Sequence, residues 1–178
     1  TQEDITDSHL LTQQLEYQAR HCMLTGLVNR HEFQQHLEQL LQQAPYDKSQ
    51  HAVFFADIDQ FKLINDTCGH AAGDELLRQI CRHIEKSIRQ SDIFARLGGD
   101  EFAIILPGAG KEDAEIVAEK LLGVLSNPFV LQGMSFSVGA SLGLAVFPDH
   151  GEDAVTLLKR ADVAMYVAKH THIGYSIY

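Results

Sequence analysis

The chain has 178 residues, of which 45% are hydrophobic and 21% are charged, as is ordinary for one compact globular domain. Its formal net charge is −10, which argues against polymeric DNA or RNA as a partner, since proteins that bind nucleic-acid backbones carry a basic face. No apolar run in this segment is long enough to span a bilayer and no signal peptide is visible, so we expect a cytoplasmic domain, within a longer chain that could itself be membrane-associated.

The first half of the chain alternates helical and strand-like patterns. Spaced leucines predict an amphipathic helix over residues 7–20, which is either part of the core or a stalk that pairs with a second copy. A second helix is predicted over 30–43, ending before Pro45. Residues 51–57 form a continuous apolar run, which is typical of a strand buried on both faces. A 3.6-residue apolar stripe then predicts a helix over 74–89.

The second half predicts a hairpin and three further elements. Strands over 93–97 and 102–106 flank a Gly-Gly turn. We then expect helices over 112–126 and 153–169, a long strand over 135–147 and an edge strand over 175–178. Strands separated by helices, with one hairpin among them, predict an α/β (α+β) domain in which a central mixed sheet is flanked by helices.

Carboxylates follow the buried strand directly. Asp57 and Asp59 stand at its carboxyl end, where ligands gather in α/β sheets. Buried carboxylates need a neutralising partner, and Mg²⁺ prefers carboxylates together with substrate phosphates. We expect Asp57 to bind a metal and Asp59 to cap the helix that follows it.

Two further acids occupy the tip of the predicted hairpin. Gly98 and Gly99 permit a tight turn and the close approach of a ligand, and Asp100 and Glu101 follow at once. Acids at a hairpin tip are often only solvated turn residues. Together with Asp57 on a separate strand, however, they predict a site for metal-dependent phosphoryl transfer.

These motifs identify a family by resemblance. The heptapeptide from Arg96 to Phe102 contains the sequence GGDEF, and the chain is similar to GGDEF-domain diguanylate cyclases from about residue 17 to 170. The segments over 24–30, 57–66 and 69–74, and the closing helix with Lys169, resemble other motifs of that family in order and spacing. The resemblance implies a palm-like fold related to nucleotidyl cyclases, and it divides the chain into a linker or signalling helix (1–20) and a GGDEF domain (21–178).

The resemblance also implies a reaction, in which two GTP molecules give cyclic di-GMP and two pyrophosphates across a homodimer. It assigns roles to residues of this chain. Asp100 and Glu101 are the implied catalytic residues, and the implied ligands of Mg²⁺ (or Mn²⁺) are Asp57, the Ile58 carbonyl, Asp100 and Glu101. The implied substrate-binding residues are Phe61, Lys62, Asn65, Asp74, Gly98, Gly99 and Lys169. Asp74 is also expected to be a helix N-cap.

Residues outside the predicted active site resemble a family site for the product. Arg89 and Asp92 match the RxxD pattern at which cyclic di-GMP inhibits many members, and Lys120 stands where an arginine often completes that site. Cys22 and Ile173 also depart from the family pattern, because an aspartate and a phosphate-binding arginine are usual there. We expect Cys22 to alter a structural hydrogen bond.

Two other functions remain open at this point. A catalytically weak or inactive domain would bind GTP or cyclic di-GMP and regulate a neighbour, such as a phosphodiesterase domain downstream. A pure interaction module would bind neither nucleotide nor metal. The tripeptide 4–6 resembles the end of a PAS domain, so we expect a PAS-like sensor upstream. Three cysteines without a CxxC pair fit a reducing cytosol.

Overall fold

The computed structural model describes residues 2–178, and for residues 2–4, 45 and 47 the description is limited to the backbone. The elements of the described part, in chain order, are α1 (Gln2–Arg20), α2 (Arg30–Asp47), β1 (His51–Ile58), α3 (Phe61–Cys68), α4 (His70–Ser87), β2 (Ile93–Gly98), β3 (Glu101–Pro107), α5 (Lys111–Leu125), β4 (Phe129–Leu131), β5 (Met134–Phe136), β6 (Ala140–Phe147), α6 (Ala154–Thr171) and β7 (Tyr175–Ile177).

Five strands form the central sheet in the order β2-β3-β1-β6-β7. The β6–β7 pair is parallel and the other three pairs are antiparallel, so the sheet is mixed, as predicted. The predicted β2–β3 hairpin and the predicted edge strand β7 are both present. Strand β1 lies at the centre, and all eight of its residues are buried.

The sheet separates two hydrophobic cores. Successive side chains of a strand point to opposite faces, and the odd-numbered residues Val53 and Phe55 of β1 pack with α2 and α6. The even-numbered Phe54 and Ala56 pack with α4 and α5. This alternation explains the continuous apolar run of β1, and it places Asp57 on the face that α2 and α6 cover.

Several predicted boundaries were wrong. Helix α2 runs through Pro45 to Asp47; the missing N–H of Pro45 removes one helical hydrogen bond, but the proline lies in the last turn and does not end the helix. Helix α4 starts at His70, and its N-cap is Gly69, so Asp74 lies inside the helix and is not its N-cap. Residue 1 of the predicted 1–20 segment lies outside the described residues.

The long strand predicted over 135–147 is two strands. Strand β5 pairs with β4 in a small separate hairpin, and only β6 joins the central sheet. The turn between β4 and β5 has positive φ at Gln132 (52°) and Gly133 (78°), which is the two-residue turn that suits the twist of a hairpin. The alternating apolar pattern continued across the break and concealed it.

Helix α6 packs closely on β6 because Gly143 has no side chain. A Cβ atom at Gly143 would lie 2.0 Å from the Ala161 carbonyl oxygen and 2.1 Å from the Met165 amide nitrogen. Both atoms belong to the backbone of α6, so the helix itself would have to move. The contact fixes the distance between α6 and the sheet. It therefore also fixes the distance between Lys169, on α6, and strand β1.

We expect Gly143→Ala to lower the free energy of unfolding by at least 3 kcal/mol, at about the upper limit of ordinary overpacking, because α6 cannot stay in place. Urea unfolding followed by circular dichroism would measure this. Gly123→Ala is the matched control: Gly123 is an exposed residue of α5 with open space around it, so that change should raise stability by about 0.5–1 kcal/mol. Equal stabilities for the two variants would contradict the packing of α6 described above.

Candidate active site

The register of the sheet brings three polar residues side by side at the end of β1. Asp57 pairs with Glu101 on β3 and with Ser141 on β6. Directly opposite residues of an antiparallel pair point to the same face, with Cβ atoms about 4.5–5.5 Å apart. Asp57 and Glu101 therefore project together toward the side that α6 covers.

Asp57 is 6% exposed, and one cation reaches it. Lys169, near the end of α6, donates a hydrogen bond from Nζ to Asp57 Oδ2 at 2.5 Å. This contact raises the pKa of Lys169, so the lysine is a cation at neutral pH. Asp57 Oδ1 is buried and receives no hydrogen bond from any described residue, and a bound ion is one way to satisfy a buried acceptor of this kind.

The tight turn between β2 and β3 places Asp100 beside Asp57. Gly98 and Gly99 adopt φ angles of 147° and 48°, a region that favours glycine. The Asp100 carbonyl accepts a hydrogen bond from the Ile58 amide at 3.2 Å, which ties the hairpin tip to the end of β1. Burial, followed by the proximity of Asp57, raises the pKa of the Asp100 carboxyl to about 6. The two carboxyl groups are close enough to share a proton.

Glu101 is the third carboxylate of the cluster. Burial and then the charge of Asp57 raise its pKa, with a contribution from Asp162 on α6. Arg30, the first residue of α2, lies 3.9 Å from Glu101, and both side chains are about half exposed. Arg30 and Asp162 were not predicted as site residues. Only the tertiary fold brings the start of α2, which carries Arg30, and the face of α6 that carries Asp162 close to Glu101 on β3.

Asp59 was expected to cap α3, and this prediction was wrong. The N-cap position of α3 is Gln60, whose side chain makes no capping hydrogen bond. Asp59 Oδ1 instead accepts a hydrogen bond from the Ser141 hydroxyl at 3.0 Å. Its amide donates to the Gly139 carbonyl at 2.8 Å, so Asp59 anchors the β1–α3 loop to the start of β6.

Two cavities flank Lys169. One, of about 420 Å³, lies beside the β1–α3 loop and is lined by Asp59, Gln60, Ala140, Ser141, Lys169, His172 and Gly174. The other, of about 600 Å³, extends over α6 and is lined by Asp57, Asp162, Val163, Met165, Tyr166, Lys169 and His170. Lys169 lines both cavities, and Asp57, its ion-pair partner, lines the larger one.

Helices α3 and α4 carry two of the residues that the resemblance implies for substrate binding, Asn65 and Asp74. Both are half-buried. A Cβ atom at Gly73 would lie 1.8 Å from Asn65 Oδ1, so the absence of a side chain at Gly73 makes room for the amide of Asn65 against α4. Phe61 is half-buried at the start of α3, and Lys62 is exposed.

The residues of the predicted product site line a third cavity, of about 410 Å³, between α4, α5 and the end of β3. Arg89 forms an ion pair with Asp92 at 3.0 Å and donates to the Pro107 carbonyl at 3.1 Å. Lys120 on α5 donates to the Ser87 carbonyl at 3.1 Å. The structure therefore places these three residues at one cavity, separate from the carboxylate cluster.

Two features are absent from residues 2–178. No group of three or more His, Cys, Asp or Glu side chains is arranged as a metal cage; the cluster offers Asp57 and Asp100 at contact distance with Glu101 beside them. None of the described helices has the length and apolarity needed to cross a bilayer. Ile173 follows α6 with 58% exposure.

Known proteins resemble this chain over most of its length. The model of the family "Diguanylate cyclase, GGDEF domain" matches residues 19–174. The chain is 43% identical over 162 residues to the diguanylate cyclase TpbB of Pseudomonas aeruginosa, covering 90% of this chain and 37% of TpbB. It is 39% identical over 169 residues to the probable diguanylate cyclase DgcE of Escherichia coli, covering 94% of this chain and 15% of DgcE. The chain thus spans less than half the length of these relatives.

Solved structures agree with the fold. The GGDEF domain of TpbB matches with a TM-score of 0.83 and 41% identity, over 88% of this chain and 91% of that one. The coiled coil and GGDEF domain of DgcB from Caulobacter crescentus, solved with cyclic di-GMP, matches with a TM-score of 0.88 and 25% identity, over 99% of this chain and 95% of that one. The sheet, the helices on its faces and the sequence of the hairpin tip lead to one conclusion: the chain belongs to the GGDEF-domain family of diguanylate cyclases.

Proposed function

We propose that this chain is an active diguanylate cyclase that condenses two GTP molecules into cyclic di-GMP and two pyrophosphates. One observation carries the proposal. The carboxylates of Asp57 and Asp100 meet at the end of a buried strand, and Asp57 Oδ1 accepts no hydrogen bond from the described part of the chain. Such an arrangement costs stability unless a cation occupies it, and a domain that only regulated a neighbour would have no need of it.

The oxygen atoms of this cluster fit a divalent cation. Asp57, the Ile58 carbonyl, Asp100 and Glu101 would hold Mg²⁺ or Mn²⁺, which favour carboxylate and carbonyl oxygens together with substrate phosphates. Bound there, the ion would neutralise charge on the triphosphate during phosphoryl transfer. Glu101 faces the same side as Asp57, so it either completes the metal ligands or accepts the proton of the attacking hydroxyl. Its raised pKa suits a group that takes up a proton.

The remaining site residues would hold the nucleotide. Asn65 offers a donor and an acceptor to the guanine edge, and Asp74 accepts from its N–H groups. Phe61 and Lys62 start α3, where free backbone N–H groups favour phosphate oxygens. Lys169 would meet phosphates from the other side of the 420 Å³ cavity. The Gly98-Gly99 backbone leaves room for the nucleotide to approach the carboxylates.

One copy of the domain cannot complete the reaction. The 3′-hydroxyl of each GTP must attack the α-phosphate of the other, so that two P–O bonds form and two pyrophosphates leave. A two-fold homodimer brings both attacks into line. The apolar side chains of α1, such as Leu10, Leu11 and Leu15, are more than 50% exposed, which favours the stalk interpretation of this helix over the core interpretation.

A regulatory GGDEF domain is the second candidate function, and Ile173 is the observation that favours it. Ile173 is exposed at the end of α6, four residues after Lys169, where the family usually carries a phosphate-binding arginine. A domain that held GTP weakly, or held only cyclic di-GMP, would signal to a neighbour without turnover. The intact carboxylate cluster makes catalysis the better-supported function.

The surroundings of the domain also belong to this proposal. Relatives of this chain are much longer, and one is named a bifunctional diguanylate cyclase and cyclic di-GMP phosphodiesterase, MucR of Pseudomonas aeruginosa, of which this chain covers 22%. We propose a cytoplasmic domain, where GTP and Mg²⁺ are available, with a PAS-like sensor upstream. We also propose a phosphodiesterase domain downstream, because the name of MucR gives that relative both activities.

The direct test is product formation by the purified domain. Incubated with GTP and Mg²⁺ over a range of protein concentrations, the domain should release cyclic di-GMP, detected by chromatography, at a rate that rises steeply with concentration because two copies are needed. The double variant Asp100→Ala, Glu101→Ala should fall to the background rate. Absence of product even after an N-terminal coiled coil has forced dimerisation would leave the regulatory function in its place.

The cavity lined by Arg89, Asp92 and Lys120 gives a second test. We propose that cyclic di-GMP binds here and slows the enzyme, with the Arg89 guanidinium exchanging part of its contact with Asp92 for a phosphate or guanine. Added cyclic di-GMP should inhibit the wild-type domain, and Arg89→Ala should need at least ten times more for half-inhibition, as expected for a lost charge-assisted contact. Ile116→Ser changes an uncharged side chain that lines the same cavity. It is the control for an effect of altering the cavity surface without removing a charge. Equal inhibition of wild type and Arg89→Ala would contradict this assignment.

A further inference from the structure

The segment that leads from α1 to α2, residues 20–29, is fastened to strand β2. Within it, the Asn29 amide donates to the Arg20 carbonyl at 2.7 Å and the Cys22 amide donates to the Leu27 carbonyl at 2.6 Å. The Arg96 amide of β2 then donates to the Val28 carbonyl at 3.1 Å. The end of α1 is therefore coupled through backbone hydrogen bonds to the strand that carries the hairpin tip.

The side chain of Arg96 extends this coupling to the active-site turn. Its Nε and Nη2 atoms donate to the Gly99 carbonyl at 3.1 and 2.8 Å. Its remaining terminal nitrogen, Nη1, donates to Cys22 Sγ at 3.3 Å. One planar guanidinium group thus holds the carbonyl immediately before Asp100 with one edge and the Cys22 sulfur with the other.

The strength of the second contact depends on the charge of the sulfur. A neutral thiol is a weak acceptor, whereas a thiolate beside a guanidinium forms a charge-assisted hydrogen bond. Burial raises the pKa of the Cys22 thiol, but hydrogen bonds from Thr25 and Arg96 outweigh burial and lower it to about 7. The contact therefore changes character across the physiological pH range.

The other charged and titratable groups near this sulfur lie on α4. Cys81 on α4 interacts electrostatically with both Cys22 and Arg96, and burial raises its pKa to about 12, so it stays a neutral thiol. The negative charge of Glu85, also on α4, contributes to the raised pKa of Cys81. Arg82 on the same helix forms an ion pair with Glu75. Arg96 is the cation in direct contact with Cys22.

We propose that Cys22 is a positioning residue of the cyclase: its thiolate holds the Arg96 guanidinium, which fixes the Gly99 carbonyl and so the orientation of Asp100. The activity measurements below rest on the proposed function. The positioning role itself rests on the contacts of Arg96 with Cys22 and Gly99. Protonation of Cys22 loosens Arg96 and lets the hairpin tip move. A signal arriving through α1 at residues 20–29 would act on Asp100 through the same three groups.

The Cys22–Arg96 contact can be tested without turnover. In a Cys68→Ser background, which leaves Cys22 as the accessible thiol because Cys81 is buried, the rate of alkylation by iodoacetamide should rise with pH with a midpoint of about 7. Adding Arg96→Gln should move that midpoint above pH 8, since the ordinary cysteine value is about 8.5. A midpoint that ignores Arg96→Gln would overturn the contact on which the proposal stands.

The positioning role is tested by comparing variants at each pH. Cys22→Asp supplies a permanent carboxylate to Arg96, and Cys22→Ser supplies none. The ratio of kcat for wild type to kcat for Cys22→Asp should rise about tenfold between pH 6 and pH 8.5, following the thiolate fraction. The ratio of Cys22→Ser to Cys22→Asp should stay low and flat, with KM for GTP unchanged. Dividing by Cys22→Asp cancels the titration of GTP, metal and the carboxylate cluster.

The outcomes separate this proposal from the proposed function. If no variant makes cyclic di-GMP, the proposed cyclase function is wrong. The affinity for Mn²⁺, measured by electron paramagnetic resonance, then replaces kcat in the same comparison of each variant with Cys22→Asp. Thermal unfolding of each variant identifies one that has failed to fold. Cys68→Ser alone should match wild type throughout. A wild-type ratio that is flat with pH, or a Cys22→Ser variant as active as Cys22→Asp at pH 8.5, would overturn the positioning role.

Discussion

The repulsion between carboxylates at the end of β1 is the constraint on which the rest of the site depends. Asp57 is buried, Glu101 lies directly opposite it, and the Asp100 carboxyl is close enough to share its proton. Like charges this close cannot all stay ionised without a cation, and burial strengthens their mutual repulsion. Lys169 supplies one positive charge. Asp57 Oδ1 accepts no hydrogen bond from the described residues, so the proposed metal ion would supply the second positive charge beside it.

The scaffold around the cluster holds the acids in place against this repulsion. The sheet register fixes Asp57 against Glu101, and the Gly98-Gly99 turn returns Asp100 to the end of β1, where its carbonyl accepts from Ile58. Gly143 allows α6 to approach β6 closely enough for Lys169 to reach across. Geometry imposed by the packed core would let this unfavourable charge arrangement persist as the cation site that we propose.

Local patterns were enough to predict much of this fold. The apolar run of β1 predicted a strand buried on both faces, and the Gly-Gly pair followed by acids predicted the hairpin with its charged tip. Asp59 and Asp74 were wrongly predicted to be N-caps, because their surroundings depend on the tertiary fold. The Asp59 carboxylate accepts a hydrogen bond from Ser141, 82 residues away. Asp74 lies inside α4 because that helix already starts at His70. Arg30, Asp162 and Arg96 likewise entered only through tertiary contacts.

The most direct measurement of the central claim is thermal unfolding of wild type and Asp100→Asn at pH 8, without metal and then with Mg²⁺ and a non-hydrolysable GTP analogue. The pKa of Asp100 is raised to about 6, so its ionisation destabilises the metal-free fold as pH rises from about 4 to 6. Discounted for its partial exposure, this cost is roughly 1 kcal/mol. The metal-free variant should therefore melt about 2–4 °C above wild type, while Mg²⁺ with the analogue should stabilise wild type alone. Two results would contradict a cation site built on Asp57 and Asp100. One is an Asp100→Asn variant that melts no higher than wild type without metal. The other is a variant whose melting temperature rises as much as that of wild type when Mg²⁺ and the analogue are added.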